Sequence, residues 1–103
     1  MASGILGQSA PSATTNTTVY TVPSAKVATV SMNICNTGTS PIYVRVALSA
    51  TGTPSASEWI EYDAEILASG VLERTGIVMN ATKNIVVYTD TATASVSVYG
   101  YEE

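Results

Sequence analysis

The sequence predicts an all-β fold: a single antiparallel β-sandwich of seven or eight short strands, Ig-like or jelly-roll in topology, behind a flexible N-terminal arm. Three observations carry the prediction. Apolar residues recur with a period of two, the mark of half-buried strands. Val, Ile, Thr and Tyr, which suit a pleated surface, dominate those runs. Clusters of Gly, Pro, Asn and Ser interrupt the chain at short intervals, with no stretch of helical periodicity between them. At 103 residues the chain makes one domain, long enough to bury about 65% of its unfolded surface. Its one cysteine, Cys35, cannot form an intrachain disulfide, so packing alone must hold the fold.

Residues 1–18 are rich in Ser, Ala, Thr, Gly, Asn and Pro and read as the arm, with Ile5 and Leu6 its only large apolar side chains. Such a segment has little to bury and remains mobile unless a partner orders it. The sandwich is expected over residues 19–103. Val19–Val22 is a strand closed by Pro23. From Lys26 to Cys35, Ala28, Val30, Met32 and Ile34 alternate with Thr29, Ser31, Asn33 and Cys35. Asn36–Pro41 supplies turn residues, and Ile42, Val44, Val46 and Leu48 then repeat the alternation with Tyr43, Arg45 and Ala47 opposite. A short Gly-containing loop between two such runs predicts that they form a hairpin. Trp59–Asp63 follows, with Ile60 and Tyr62 on one side. Ala64–Gly70 turns a corner. Val71–Thr75 and Ile77–Met79 are split by Gly76, a candidate bulge. Ile85–Thr89 and Ala94–Tyr101 complete the domain.

Composition narrows the function. Only 12% of the residues are charged, about half the usual share, and there is no His. A domain with so few charges lacks the mixed-sign coat that keeps monomers apart. This points to a life packed against other proteins. The four cations, Lys26, Arg45, Arg74 and Lys83, are dispersed and the net charge is −4. Nucleic acid and anionic membrane are therefore not expected partners. Nor is zinc expected from one Cys and no His, or nucleophilic catalysis without a base beside Cys35. No phosphate-cradling Gly motif occurs, so no cofactor is expected. The first residues lack the basic and apolar regions of a signal peptide, which predicts synthesis in a cytoplasm.

Two groups of residues remain. Glu58, Glu61, Asp63 and Glu65 form a carboxylate cluster, and on an extended strand the last three share a face. That set could hold Ca²⁺ or serve glycoside cleavage, but a solvated outer face is the expected reading, with no catalytic and no metal residues. The aromatics are Trp59 and six Tyr, without Phe. Tyr99 and Tyr101 fall on one face with Ser95 and Ser97, opposite Val96 and Val98, and Tyr43 lies on the polar face of its strand. With Ile5 and Leu6 of the arm, Tyr43, Trp59, Tyr99 and Tyr101 are the candidate protein-interface residues. A host-glycan contact through the Tyr and Trp faces is the alternative.

An ordered series of short segments resembles small β-sandwich structural proteins of tailed bacteriophages, notably those of marine cyanobacteria. The segments are Ile5-Leu6-Gly7-Gln8, Val19-Tyr20-Thr21-Val22-Pro23, Ile34-Cys35-Asn36-Thr37-Gly38, Val44-Arg45-Val46-Ala47 and Glu61-Tyr62-Asp63. Then come Gly76-Ile77-Val78-Met79 with Ala81-Thr82, Val86-Val87-Tyr88, and Val96-Ser97-Val98-Tyr99-Gly100-Tyr101-Glu102. The series spans nearly the whole chain, and it departs from the family pattern at Thr82-Lys83-Asn84, where a Gly-Asp or Thr-Asp turn is usual. The resemblance implies a non-enzymatic virion component. Capsid decoration, as a cement protein on neighbouring major capsid subunits, is the leading expectation, and a neck, tail or fibre role is the alternative. A homo-oligomer, dimer or trimer, is expected, because repeated copies usually close by rotation.

Overall fold

Alternation along the strands sets the architecture of the computed structural model, which describes residues 2–103. β3 (Ala28–Asn36) alternates buried and half-buried residues along its full length. Its inner side chains Ala28, Val30, Met32 and Ile34 are almost wholly buried. They meet Ile42, Val44 and Val46 of β4 (Ile42–Ser49), Ile85 and Val87 of β7 (Asn84–Thr89), and Val96 and Val98 of β8 (Ala94–Glu102) in one core. The remaining strands are β1 (Ser3–Ser9), β2 (Thr17–Thr21), β5 (Trp59–Ile66) and β6 (Val71–Met79). The first sheet has the order β1-β8-β3-β6 and the second β2-β7-β4-β5. Every neighbouring pair is antiparallel.

The pairs β1–β8, β2–β7, β3–β6 and β4–β5 are nested. The chain is folded back about the β4–β5 connection, and the resulting double ribbon is rolled into a sandwich. That is a jelly roll, which decides between the two topologies the sequence leaves open.

Three expectations change. First, the segment expected as an arm contains β1, which pairs with β8 from Ser3↔Tyr101 to Ser9↔Val96, and also the start of β2. Leu6 packs against the core, while Ile5 is 67% exposed. β8 is nine residues long and carries inner Val96 and Val98. Without β1 its outer edge would be bare, and this pairing outweighs the arm's weak intrinsic order.

Second, β3 and β4 are not a hairpin; they lie in opposite sheets. The loop between them crosses the sandwich, so their apolar faces oppose one another. The end of β3 is fastened elsewhere, by Asn36 N–H to the Gly70 carbonyl and Thr37 N–H to the Thr93 carbonyl, both 2.9 Å.

Third, β5 extends to Ile66 and is irregular. Its pairing with β4 slips between Val44 and Val46 and again between Val46 and Ala47, and Asp63 has φ 53°. Ile60 therefore packs against the core while Tyr62 faces solvent, although strict alternation predicts a shared side. Gly76 does mark a bulge: its φ is 68°, and the β3–β6 register slips opposite it. The strand runs through it unbroken.

The two sheets are also tied by a polar contact. The buried Tyr20 hydroxyl of β2 donates to Glu102 Oε2 of β8 at 2.5 Å. Burial, then this carboxylate, pushes the tyrosine well above its ordinary range, so it stays a donor. Tyr20→Phe leaves the Glu102 carboxylate, 9% exposed, without that bond. Urea denaturation should show a loss of about 1–3 kcal/mol.

Candidate functional site

The sandwich presents two outer faces of different chemistry. On the first sheet, β8 turns Ser95, Ser97, Tyr99 and Tyr101 outward, and β3 turns out Thr29, Ser31, Asn33 and Cys35. Register sets them in rows: Ile5, Tyr99 and Ser31 across β1, β8 and β3, then Tyr101, Thr29 and Val78 across β8, β3 and β6. Ile5 and Val78 are each 67% exposed, Tyr101 41% and Tyr99 37%. Gln8 bonds Ser97 Oγ across β1 and β8 at 3.3 Å. The outward residues of β1, β8 and β3 carry no charge; β6 contributes Glu73, opposite Asn33. Cys35 is half-buried between Ser95 and Val71 at the end of β3.

The second sheet's outer face is built around Arg45 of β4. Its guanidinium lies 4.2 Å from the ring centroid of Tyr62 on β5 and 4.8 Å from that of Tyr88 on β7. Asp63 Oδ1 accepts from Arg45 Nε at 2.6 Å, and this bond foremost holds the guanidinium more firmly protonated than usual. Trp59 meets Tyr62 edge-on, with centroids 5.5 Å apart and planes at 78°. Below Trp59 the row Thr18–Val86–Ala47–Trp59 crosses all four strands, and Val86 and Ala47 are fully buried although they point away from the core. The β4–β5 loop reaches over this row as far as β2, where Gly52 lies beside Thr18.

That loop is held by Glu58. Its carboxylate accepts from Ser55 N–H at 2.9 Å, Ala50 N–H at 3.0 Å and the Ser49 hydroxyl at 2.9 Å. These bonds, the Ser55 amide foremost, pull the carboxyl from 4.5 to about 2. A depressed folded-state value stabilises above the unfolded value and is lost as pH falls through the folded one. The protection of amides in residues 50–58, the slowing of their exchange relative to an unstructured chain at the same pH, should therefore be high above about pH 4.5 and fall progressively toward pH 2. Glu58→Gln should remove that protection throughout.

Of the remaining carboxylates of the predicted cluster, Asp63 and Glu65 share the outer face, beside Arg45 and Tyr43, and only Glu61 leaves it. The bulge at Asp63 sends them to separate partners. Glu61 turns to the gap between the sheets and meets Arg74 of β6 at 3.0 Å, while Asp63 holds Arg45. Glu65 accepts from the Tyr43 hydroxyl at 3.3 Å, and its charge foremost, then this bond, raises that tyrosine's pKa. Beside the Glu61–Arg74 bridge a trough of about 490 Å³ opens between the β5 and β6 edges. It is lined by Leu48, Ile60 and Ile77 below and Glu73, Arg74 and Thr75 at its rim.

The predicted interface residues are thus divided. Ile5, Tyr99 and Tyr101 share the first sheet's face; Tyr43 and Trp59 lie on the second; Leu6 is inside. Arg45, Tyr62 and Tyr88 form a cluster that sequence reading missed, since only the order β7-β4-β5 brings them together. Comparison of the chain with protein-family models, with curated proteins and with solved structures finds no match.

Proposed function

We propose that this protein is a non-enzymatic structural subunit of a bacteriophage virion, a capsid decoration protein that docks on neighbouring major capsid subunits. It would be made in the host cytoplasm and reside in the particle. The observation that carries the reading is the first sheet's outer face. Five large apolar side chains, Ile5, Val71, Val78, Tyr99 and Tyr101, stand exposed there among Ser, Thr and Asn, without an outward charge on three of the four strands. Interface cores are depleted of charge and enriched in Tyr. Jelly rolls recur in viral capsid domains, and the series of sequence segments points the same way.

Deleting residues 1–18 would strip β1 and part of β2 from the fold, so docking is tested by point substitution instead. The apt variant is the double substitution Tyr101→Lys with Val78→Lys, two outward positions in one row. Binding to purified capsid shells should weaken about 100-fold or more, the loss expected when two central apolar contacts are replaced by charges. Thermal unfolding should change little. Unaltered shell binding by the folded double variant would refute this docking face.

A second reading, a tail or fibre module that binds host glycans, draws on Trp59, Tyr62 and Tyr88 around Arg45. The crossed planes of Trp59 and Tyr62 offer no shared flat platform for a sugar ring, and so the first reading is preferred. Glycan-array binding that is lost in Trp59→Ala would reverse that preference.

A further inference from the structure

Each sheet has two edges, and an edge strand offers a row of unpaired backbone groups to any other chain unless something blunts it. Three of the four edges here are blunted. β5 carries Glu61, Asp63 and Glu65 and is broken by the positive φ at Asp63. β6 carries Glu73 and Arg74 and bulges at Gly76. β2 is only five residues long, and Gly7 of β1 packs directly on the carbonyl of its Val19. β1, Ser3–Ser9, has neither charge nor proline. Gly4 there has φ 106° and the pairing with β8 slips between Ile5 and Gly7, but neither feature puts a charge on the free edge.

We infer that β1 is the edge at which a second copy of this chain adds, β1 to β1 and antiparallel about a twofold axis, joining two first sheets into one of eight strands. The choice of occupant follows from charge. A copy carries a net charge of −4, so most faces of two copies repel. A twofold axis sets each strand against itself, which would bring like charges together on β5 or β6 but not on β1. Ile5, exposed beside Tyr99, adds an apolar side chain from each copy along the new ladder. The inference is independent of the virion reading, since it needs only the strand order and the charges.

Sedimentation equilibrium of the full chain, from micromolar to millimolar, should show a reversible step from 10.7 kDa to twice that mass. Amide exchange in residues 3–9 should slow as concentration rises. Ile5→Lys and, separately, Ser3→Asp place like charges across the axis. Each should weaken association about tenfold or more and shift the concentration dependence of exchange to correspondingly higher concentration. Ser3 is exposed at the strand's start, so Ser3→Asp serves if Ile5→Lys unfolds. A monomer at every concentration would overturn the inference. So would a dimer whose β1 amides exchange at a constant rate, or folded variants that associate like the native chain. Tyr101→Lys with Val78→Lys should still dimerise. This separates failure of the dimer from failure of the docking face.

Discussion

Asn36→Ala should lower the melting temperature by roughly 12 °C or more, a loss of about 3 kcal/mol. Asn36 is fully buried at the end of β3. Its amide nitrogen donates to the carbonyls of Ser40 (2.8 Å), Ile66 (3.1 Å) and Leu67 (3.2 Å). Its amide oxygen accepts from Gly38 N–H at 2.9 Å and the Thr93 hydroxyl at 3.2 Å. One side chain thus fastens the β3–β4, β5–β6 and β7–β8 connections to each other. Truncation leaves several groups unsatisfied, each costing about 1–3 kcal/mol when buried. Asn36→Asp separates hydrogen bonding from volume. A carboxylate cannot donate to three carbonyls, so its folded-state pKa is raised. The stability tied to its protonated form is then present at low pH and lost as pH rises. The deficit of Asn36→Asp should therefore be smaller at pH 4 than at pH 7 when referred to Asn36→Ala at the same pH. Equal melting temperatures for Asn36→Ala and the native chain would show that the hub contributes nothing.

Gly100→Ala should be as severe, at about 3 kcal/mol or more in urea denaturation. Gly100 has φ 151°, which L-residues rarely adopt. It sits in β8 between Gly4 of β1 and Val30 of β3. A Cβ there would run into the Thr29 carbonyl and the Val30 Cα, which are backbone atoms. β8 is paired on both sides and cannot shift without disturbing the first sheet. Gly76→Ala is the control: it has a positive φ of 68° but nothing within 4 Å of its Cβ position. It should cost distinctly less, and equal losses would assign the effect to backbone strain alone.

Both residues show how far the sequence could be read. The two-residue period in β3 and β8 places Ala28 to Ile34 and Ala94 to Val98 inside, as found. The same phase, carried on, puts Asn36, Gly100 and Glu102 inside too. A turn-forming Asn, a Gly and a terminal Glu look like the ends of strands, so their position in phase is easily passed over. Yet the buried polar hub and the Tyr20–Glu102 tie were legible as polar residues in apolar phase. The strand count was legible as well, but the placement of β3 and β4 was not. A five-residue connection fits a hairpin as well as a crossing, and only the burial of both apolar faces against each other decides. Nor was β1 legible, because Ser3–Ser9 has little to bury alone and owes its order to the edge of β8.

The interaction surfaces were legible in part. Tyr43, Tyr99 and Tyr101 fall outside by alternation and are found there. Val78 and Arg45 were not distinguished by any local signal. Val78 joins the first sheet's face only through its register with Thr29. Arg45 acquires Tyr88 only because β7 lies beside β4. On β5, the two register slips and the positive φ at Asp63 defeat any reading that assumes a regular strand.

The central claim, that the charge-poor face of the first sheet is where this protein meets its neighbours, is tested most directly by an averaged electron-microscopy image of capsid shells saturated with it. The account predicts ordered density on the shell surface, with the sandwich oriented so that Tyr101, Thr29 and Val78 face the capsid and the Arg45 cluster faces solvent. Bare shells, or density with the Arg45 cluster turned toward the capsid, would contradict it.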